Sequence, residues 1–133
     1  MTMRTLKVLA IVVGVAGAGF GGMAVAGMKA TAETVLIYGS GLRCHGSLAA
    51  ARNSANAIEY IGCKVVGTTS GASVLCEAQD SAGTQFSCNS TNSNIVAAAR
   101  AISGDSFLTI NRDSTDQCTL LYVDNSSVHE PKD

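Results

Sequence analysis

Tryptophan is absent from this 133-residue chain, proline occurs once, and aromatic side chains make up only 5% of it. A core with so few large rings buries little apolar area and needs another source of stability. No CxxC pair occurs. That omission argues against zinc knuckles and ribbons, which need two thiolates from one turn, and against thioredoxin-like redox chemistry. No GxSxG elbow is present either, and Gly67-Thr68-Thr69-Ser70-Gly71 lacks the following Gly-Lys-Ser/Thr of a phosphate-binding loop. The length excludes a two-domain enzyme, a long solenoid and a multi-pass membrane protein.

What is present begins with an apolar block. Residues 8–28 carry no charged or strongly polar side chain, follow Arg4 and Lys7, and meet small-residue sites at Ala24-Val25-Ala26 and Ala30-Thr31-Ala32. This layout predicts a secretory signal peptide over residues 1–32, cleaved after Ala26 or Ala32. The alternative is an uncleaved anchor, because 21 uncharged residues are long enough to span a bilayer as a helix. Six glycines within the block weaken that alternative. Gly17 to Gly22 also fits GxGxxG, but the next acidic residue, Glu33, precedes the following apolar run Val35 to Tyr38, and no strand-helix alternation follows. The dinucleotide fingerprint lacks its mechanism there, and no cofactor is expected.

A chain beginning at Glu33 holds six basic and ten acidic residues, a net charge of −4. Scattered negative charge favours solubility and disfavours nucleic acid as a partner. The mature chain is expected to be free of the membrane once the leader is removed.

The five cysteines (Cys44, Cys63, Cys76, Cys88, Cys118) all lie beyond the leader. In an exported domain of this size they read as disulfides, and an odd count leaves one thiol over. Two bridges among five cysteines allow fifteen connectivities. Asp80-Ser81-Ala82-Gly83 reads as a hairpin turn, and folding about Ala82 sets Cys76 opposite Cys88. A longer hairpin centred near Asn53 and Ser54 pairs Cys44 with Cys63. Cys118 is then the free thiol, which opens a route to a disulfide-linked homodimer.

Alternation and turn residues predict strands near 35–38, 41–48, 57–66, 72–79, 84–89, 106–111 and 117–124. One helix is expected over Ile95 to Ile102, with Asn92 or Ser93 as cap and Gly104 as stop. The fold class is therefore mainly β (α+β): a small antiparallel sheet domain with one helix, disulfide-stabilised, over residues 33–127, with a flexible tail at 128–133. Folding about residues 114 and 115 puts Leu108 and Ile110 beside Leu121 and Val123 as core. The opposite face carries Phe107, Thr109, Cys118, Leu120 and Tyr122. That face is expected to be covered by the rest of the domain or used for contact, with Phe107, Leu120 and Tyr122 as its contact residues.

Constellations for chemistry are few. Cys44 and His45 are adjacent on a strand and point to opposite faces, which prevents a thiolate-imidazole pair. His129 falls in the tail. Asp113 and Asp116, with Asp105, lack the DxDxDG order of a calcium loop and read as a solvated turn. Asn89-Ser90-Thr91 and Asn125-Ser126-Ser127 match the glycosylation triplet, which matters only in a eukaryotic secretory pathway. No catalytic residue, metal ligand or cofactor-binding residue is assigned.

Leu42-Arg43-Cys44, Tyr60-Ile61-Gly62-Cys63, the stretch Cys76 to Gly83 ending at Cys88, and Asp105-Ser106-Phe107-Leu108 followed by Cys118 resemble a group of small exported bacterial proteins of unknown function. The resemblance implies export and a compact domain built around these cysteines, and transfers no activity. The expectation is a secreted or periplasmic module, non-catalytic, that binds a protein or cell-envelope partner or serves structurally. Its rivals are a membrane-anchored subunit of an envelope assembly, and a minor hydrolase or thiol redox protein using Cys118.

Overall fold

The computed structural model describes residues 34–129. The leader with its two cleavage sites, and the last four residues, lie outside the described part. Seven strands and two helices follow in the order β1 (Leu36–Tyr38), β2 (Arg43–Ser47), α1 (Leu48–Asn53), β3 (Tyr60–Thr68), β4 (Gly71–Gln79), β5 (Gln85–Ser90), α2 (Ser93–Arg100), β6 (Phe107–Arg112) and β7 (Cys118–Asp124). The strands form two antiparallel sheets, one ordered β1-β2-β6-β7 and the other β3-β4-β5. The fold is mainly β, as the alternation of the sequence predicts.

Local chemistry explains most element boundaries. The β4–β5 turn is closed by Asp80, whose carboxylate accepts from the amides of Ala82 and Thr84, and by Gly83, whose φ of 84° favours a residue without Cβ. At α2 the expected cap forms: the Asn92 side chain accepts from the amides of Asn94 and Ile95. The helix begins at Ser93 and ends at Arg100, two residues earlier at each end than its apolar run predicts. Val96 and Ala99 are its buried residues, with Ile95 and Ile102 half-buried beside them.

A second helix, α1, replaces the end of an expected strand and the start of the long hairpin. Ser47 caps it by accepting from the amide of Ala50, and the Ala-rich segment Leu48-Ala49-Ala50-Ala51 carries it. Six residues are too few for helical periodicity to register in the sequence. The consequence is topological. With α1 between them, β2 and β3 enter different sheets, and β2 pairs with β1 and β6. Cys44 therefore faces Ile110 across the ladder, far from the register a Cys44–Cys63 bridge requires.

The core is continuous between the sheets. Phe86, Leu108, Ile110 and Val74 are its largest fully buried side chains, joined by Cys44, Cys76 and Cys88. Helix α2 packs on β7 of the larger sheet and on β3 and β4 of the smaller one. Among the described residues no helix is long and apolar enough to cross a membrane.

The last hairpin has the expected register, Leu108 opposite Val123 and Ile110 opposite Leu121, but a bulge interrupts it. Asn111 pairs with Leu120 while Arg112 pairs with Cys118, leaving Thr119 as the extra residue. Because side chains alternate, one inserted residue turns Cys118 from the outer face to the core, where it is 6% exposed.

Candidate functional site

Two features stand out: a row of cysteines inside the molecule and a partly exposed sheet face outside it. In the row, Cys63, Cys76 and Cys88 lie directly opposite one another across β3, β4 and β5. The bridges are Cys63–Cys76 and Cys88–Cys118, and Cys44 is the free cysteine. Both pairings expected from the sequence are thus corrected. Cys76 does face Cys88, but it also faces Cys63, and it bonds to that neighbour. Cys88 instead reaches Cys118, which the β7 bulge has turned inward. The signal for Cys63–Cys76 was present in the connector Gly67 to Gly71, since folding about Thr69 and Ser70 sets these two residues opposite each other.

The free thiol is consequently Cys44, not Cys118. Cys44 is fully buried, and burial pushes its pKa up to about 12, with the Arg112 charge lowering it only in part. Such a thiol is neither a nucleophile nor a route to an interchain bridge. A homodimer through Cys118, and a hydrolase or redox role for Cys118 as a free thiol, are both removed by its bond to Cys88. The sulfurs of Cys76, Cys88 and Cys118 lie within 4.8 Å of one another, yet all three are in disulfides and offer no thiolate to a metal ion.

The outer face of the larger sheet differs from its inner one. Tyr38, His45, Phe107 and His129 form a ladder of rings across it, with centroid separations of 5.3, 5.8 and 4.8 Å in that order. His129, assigned by the sequence to a loose tail, stacks on Phe107 with its ring nearly parallel and lies 3.1 Å from the Asp124 carboxylate. The Ser126 backbone amide first, and His129 next, hold the Asp124 carboxyl down at about 2. Of the three expected contact residues, Phe107 is half-buried in this ladder, whereas Leu120 and Tyr122 are exposed at 40% and 52%. Leu36 on β1 is also exposed, in the same cross-strand row as His45, Thr109 and Tyr122.

Residues weighed for catalysis do not converge. Cys44 enters the core while His45 joins the ring ladder outside. Asp113 is taken up by its own turn, accepting from the Thr115 hydroxyl, the Gln117 amide and the Thr115 amide, which lower its pKa. Asp116 pairs with Arg112 at 2.8 Å.

Arg112 is the residue whose importance the sequence conceals. Its guanidinium donates to the carbonyl oxygens of Gly41 and Ser87, both at 2.9 Å, and lies 5.1 Å from the Phe86 ring centroid. It thereby ties the β1–β2 turn of one sheet to β5 of the other. Only the unpredictable adjacency of those segments reveals this.

These features define a class: a small two-sheet β domain held by disulfides, of the kind that matures in an oxidising, extracytoplasmic compartment. No protein-family model, curated protein or solved structure matches the chain.

Proposed function

We propose that the protein is an exported, non-catalytic module that binds a protein of the cell envelope or the extracellular space through the outer face of its larger sheet. The observation that carries this reading is that face: Leu36, Leu120 and Tyr122 stand exposed beside a ladder of rings, on a framework fixed by disulfides and Arg112. Exposed aromatic and aliphatic side chains on a rigid surface lose little conformational entropy on docking and bury area efficiently. The bridges support export, as do the apolar leader in the sequence and the resemblance to small exported bacterial proteins. Among the described residues Cys44 lies in the core and His45 in the outer ring ladder, so this adjacent pair does not join a nucleophile to a base.

The test compares Leu120→Glu and Tyr122→Ala with the parent domain in binding to extracytoplasmic protein fractions of the producing cell. Both side chains face solvent, so unfolding transitions should be nearly unchanged, while binding weakens by at least about tenfold. Equal binding by parent and variants overturns the assignment of this face. Turnover of a substrate in a hydrolase panel, abolished by replacing single Ser, His or Asp residues, overturns the non-catalytic reading.

A further inference from the structure

The two bridges are not equivalent in exposure, and the sulfur that connects them is the most protected of all. Cys63 lies on the outermost strand of the smaller sheet, is partly exposed, and lines an open depression of about 400 Å³ with Tyr60, Lys64 and Glu77. Cys76, Cys88 and Cys118 are buried, at 0%, 1% and 6% exposure. An external thiol therefore has access to the outer bridge at Cys63, while the inner bridge is shielded from it. Within the molecule, however, the Cys76 sulfur is within 4.8 Å of both sulfurs of the inner bridge, and Cys76 and Cys88 are direct cross-strand partners.

We propose that the four bonded cysteines form a thiol–disulfide exchange relay, with Cys63 as the entry point for a dithiol partner. In the first step a partner thiolate attacks the Cys63 sulfur. A partner–Cys63 mixed disulfide forms, the Cys63–Cys76 bond breaks, and Cys76 leaves as thiolate. In the second step the Cys76 thiolate, produced in place by bond cleavage and not by ionisation of a buried thiol, attacks the Cys88 sulfur before it is protonated. The Cys88–Cys118 bond breaks, a Cys76–Cys88 bond forms, and Cys118 leaves as thiolate and takes a proton from water. In the third step the partner's second thiolate attacks the partner sulfur of the mixed disulfide, which forms the partner's own disulfide and releases Cys63 as thiolate, which takes a proton from water. The partner loses two electrons, and the protein gains two as the thiols of Cys63 and Cys118.

Attack at Cys88 is favoured over Cys118 by register. The product bridge joins neighbouring strands already opposite each other, whereas Cys118 belongs to the other sheet. The outcome is mechanical as well as chemical. The Cys88–Cys118 bridge ties β5 to β7, and its loss leaves that seam to Arg112, to the hydrogen bond that the Asn89 backbone N–H donates to the Asp116 carbonyl oxygen, and to the one that the Gln117 side chain donates to the Asn89 side chain. A thiol arriving at the edge of one sheet thus loosens the junction between the two. Cys44 takes no part, being held as a thiol by burial.

Partial reduction of the purified protein with dithiothreitol, acid quenching, alkylation and disulfide mapping by mass spectrometry tests the relay. Most molecules that have gained two thiols should be alkylated at Cys63 and Cys118 and retain a Cys76–Cys88 bond. If they are alkylated at Cys63 and Cys76 with Cys88–Cys118 intact, the proposal is overturned. The variant Cys63→Ser provides a second reading without reductant. Its Cys76 has lost its bonding partner, so the mapped bridge should shift to Cys76–Cys88 with Cys118 open to alkylation. Retention of Cys88–Cys118 in that variant contradicts the relay.

Discussion

Cys88 on β5 and Cys118 on β7 are joined across the two sheets, and among the described residues their bond is the one disulfide between those sheets. The other bridge, Cys63–Cys76, lies within the smaller sheet. The two therefore restrain the unfolded chain to different extents.

Removing each bridge as a double serine variant should separate these contributions. Cys88 and Cys118 are 30 residues apart and Cys63 and Cys76 are 13 apart. Loop-closure entropy then assigns about 3.5 kcal/mol to the first bridge and about 3 kcal/mol to the second. Urea unfolding of Cys88→Ser/Cys118→Ser should show the larger loss. Equal losses, or the reverse order, contradict the entropic account.

Arg112 joins the same seam without a covalent bond. Arg112→Ala strands the carbonyl oxygens of Gly41 and Ser87 and removes the cation from the Phe86 ring, for a loss of about 2–3 kcal/mol. Arg112→Lys should recover only part of that, because an ammonium does not reproduce the planar fork that reaches both segments. Chemical denaturation of the two variants measures the difference.

Glu59 adds a dependence on pH. Burial alone would raise its pKa, but hydrogen bonds from Ser54, Asn56 and the Val35 amide outweigh burial and lower it from 4.5. A carboxylate with a lowered pKa in the folded state contributes stability that is present above its unfolded pKa and lost as pH falls through its folded one. Glu59→Gln should therefore be less stable than the parent by about 1–2 kcal/mol at neutral pH. The gap should hold steady down to the unfolded pKa and close below it. Thermal unfolding at a series of pH values measures the gap, and a gap that widens in acid contradicts this role.

Cys44 should resist alkylation in the folded protein even at mildly alkaline pH, and react fully in denaturant, because its pKa stands near 12. Non-reducing electrophoresis should give the same monomer band as reducing electrophoresis. A native thiol that titrates rapidly with a maleimide, or a covalent dimer, is inconsistent with Cys44 as the free cysteine.

Local chemistry was legible wherever it was self-contained. The Asp80–Gly83 turn, the Asn92 cap and the register of the last hairpin each follow from residues a few positions apart. The six-residue helix α1 was not legible, since it is shorter than two turns and its alanines serve a strand's end as readily as a helix. Nor was the bulge at Thr119, because nothing in the alternation of β7 distinguishes an inserted residue from a paired one.

By itself the sequence determined the mainly β character, the single odd cysteine and the hydrophobic stripes, because each depends on residue type and short-range spacing. Tertiary structure alone decided that Cys88 bonds to Cys118, which thiol stays free, and which rings meet on the outer face. Those outcomes depend on which strands share a sheet, and that choice was made by one short helix and one inserted residue acting on contacts dozens of positions apart.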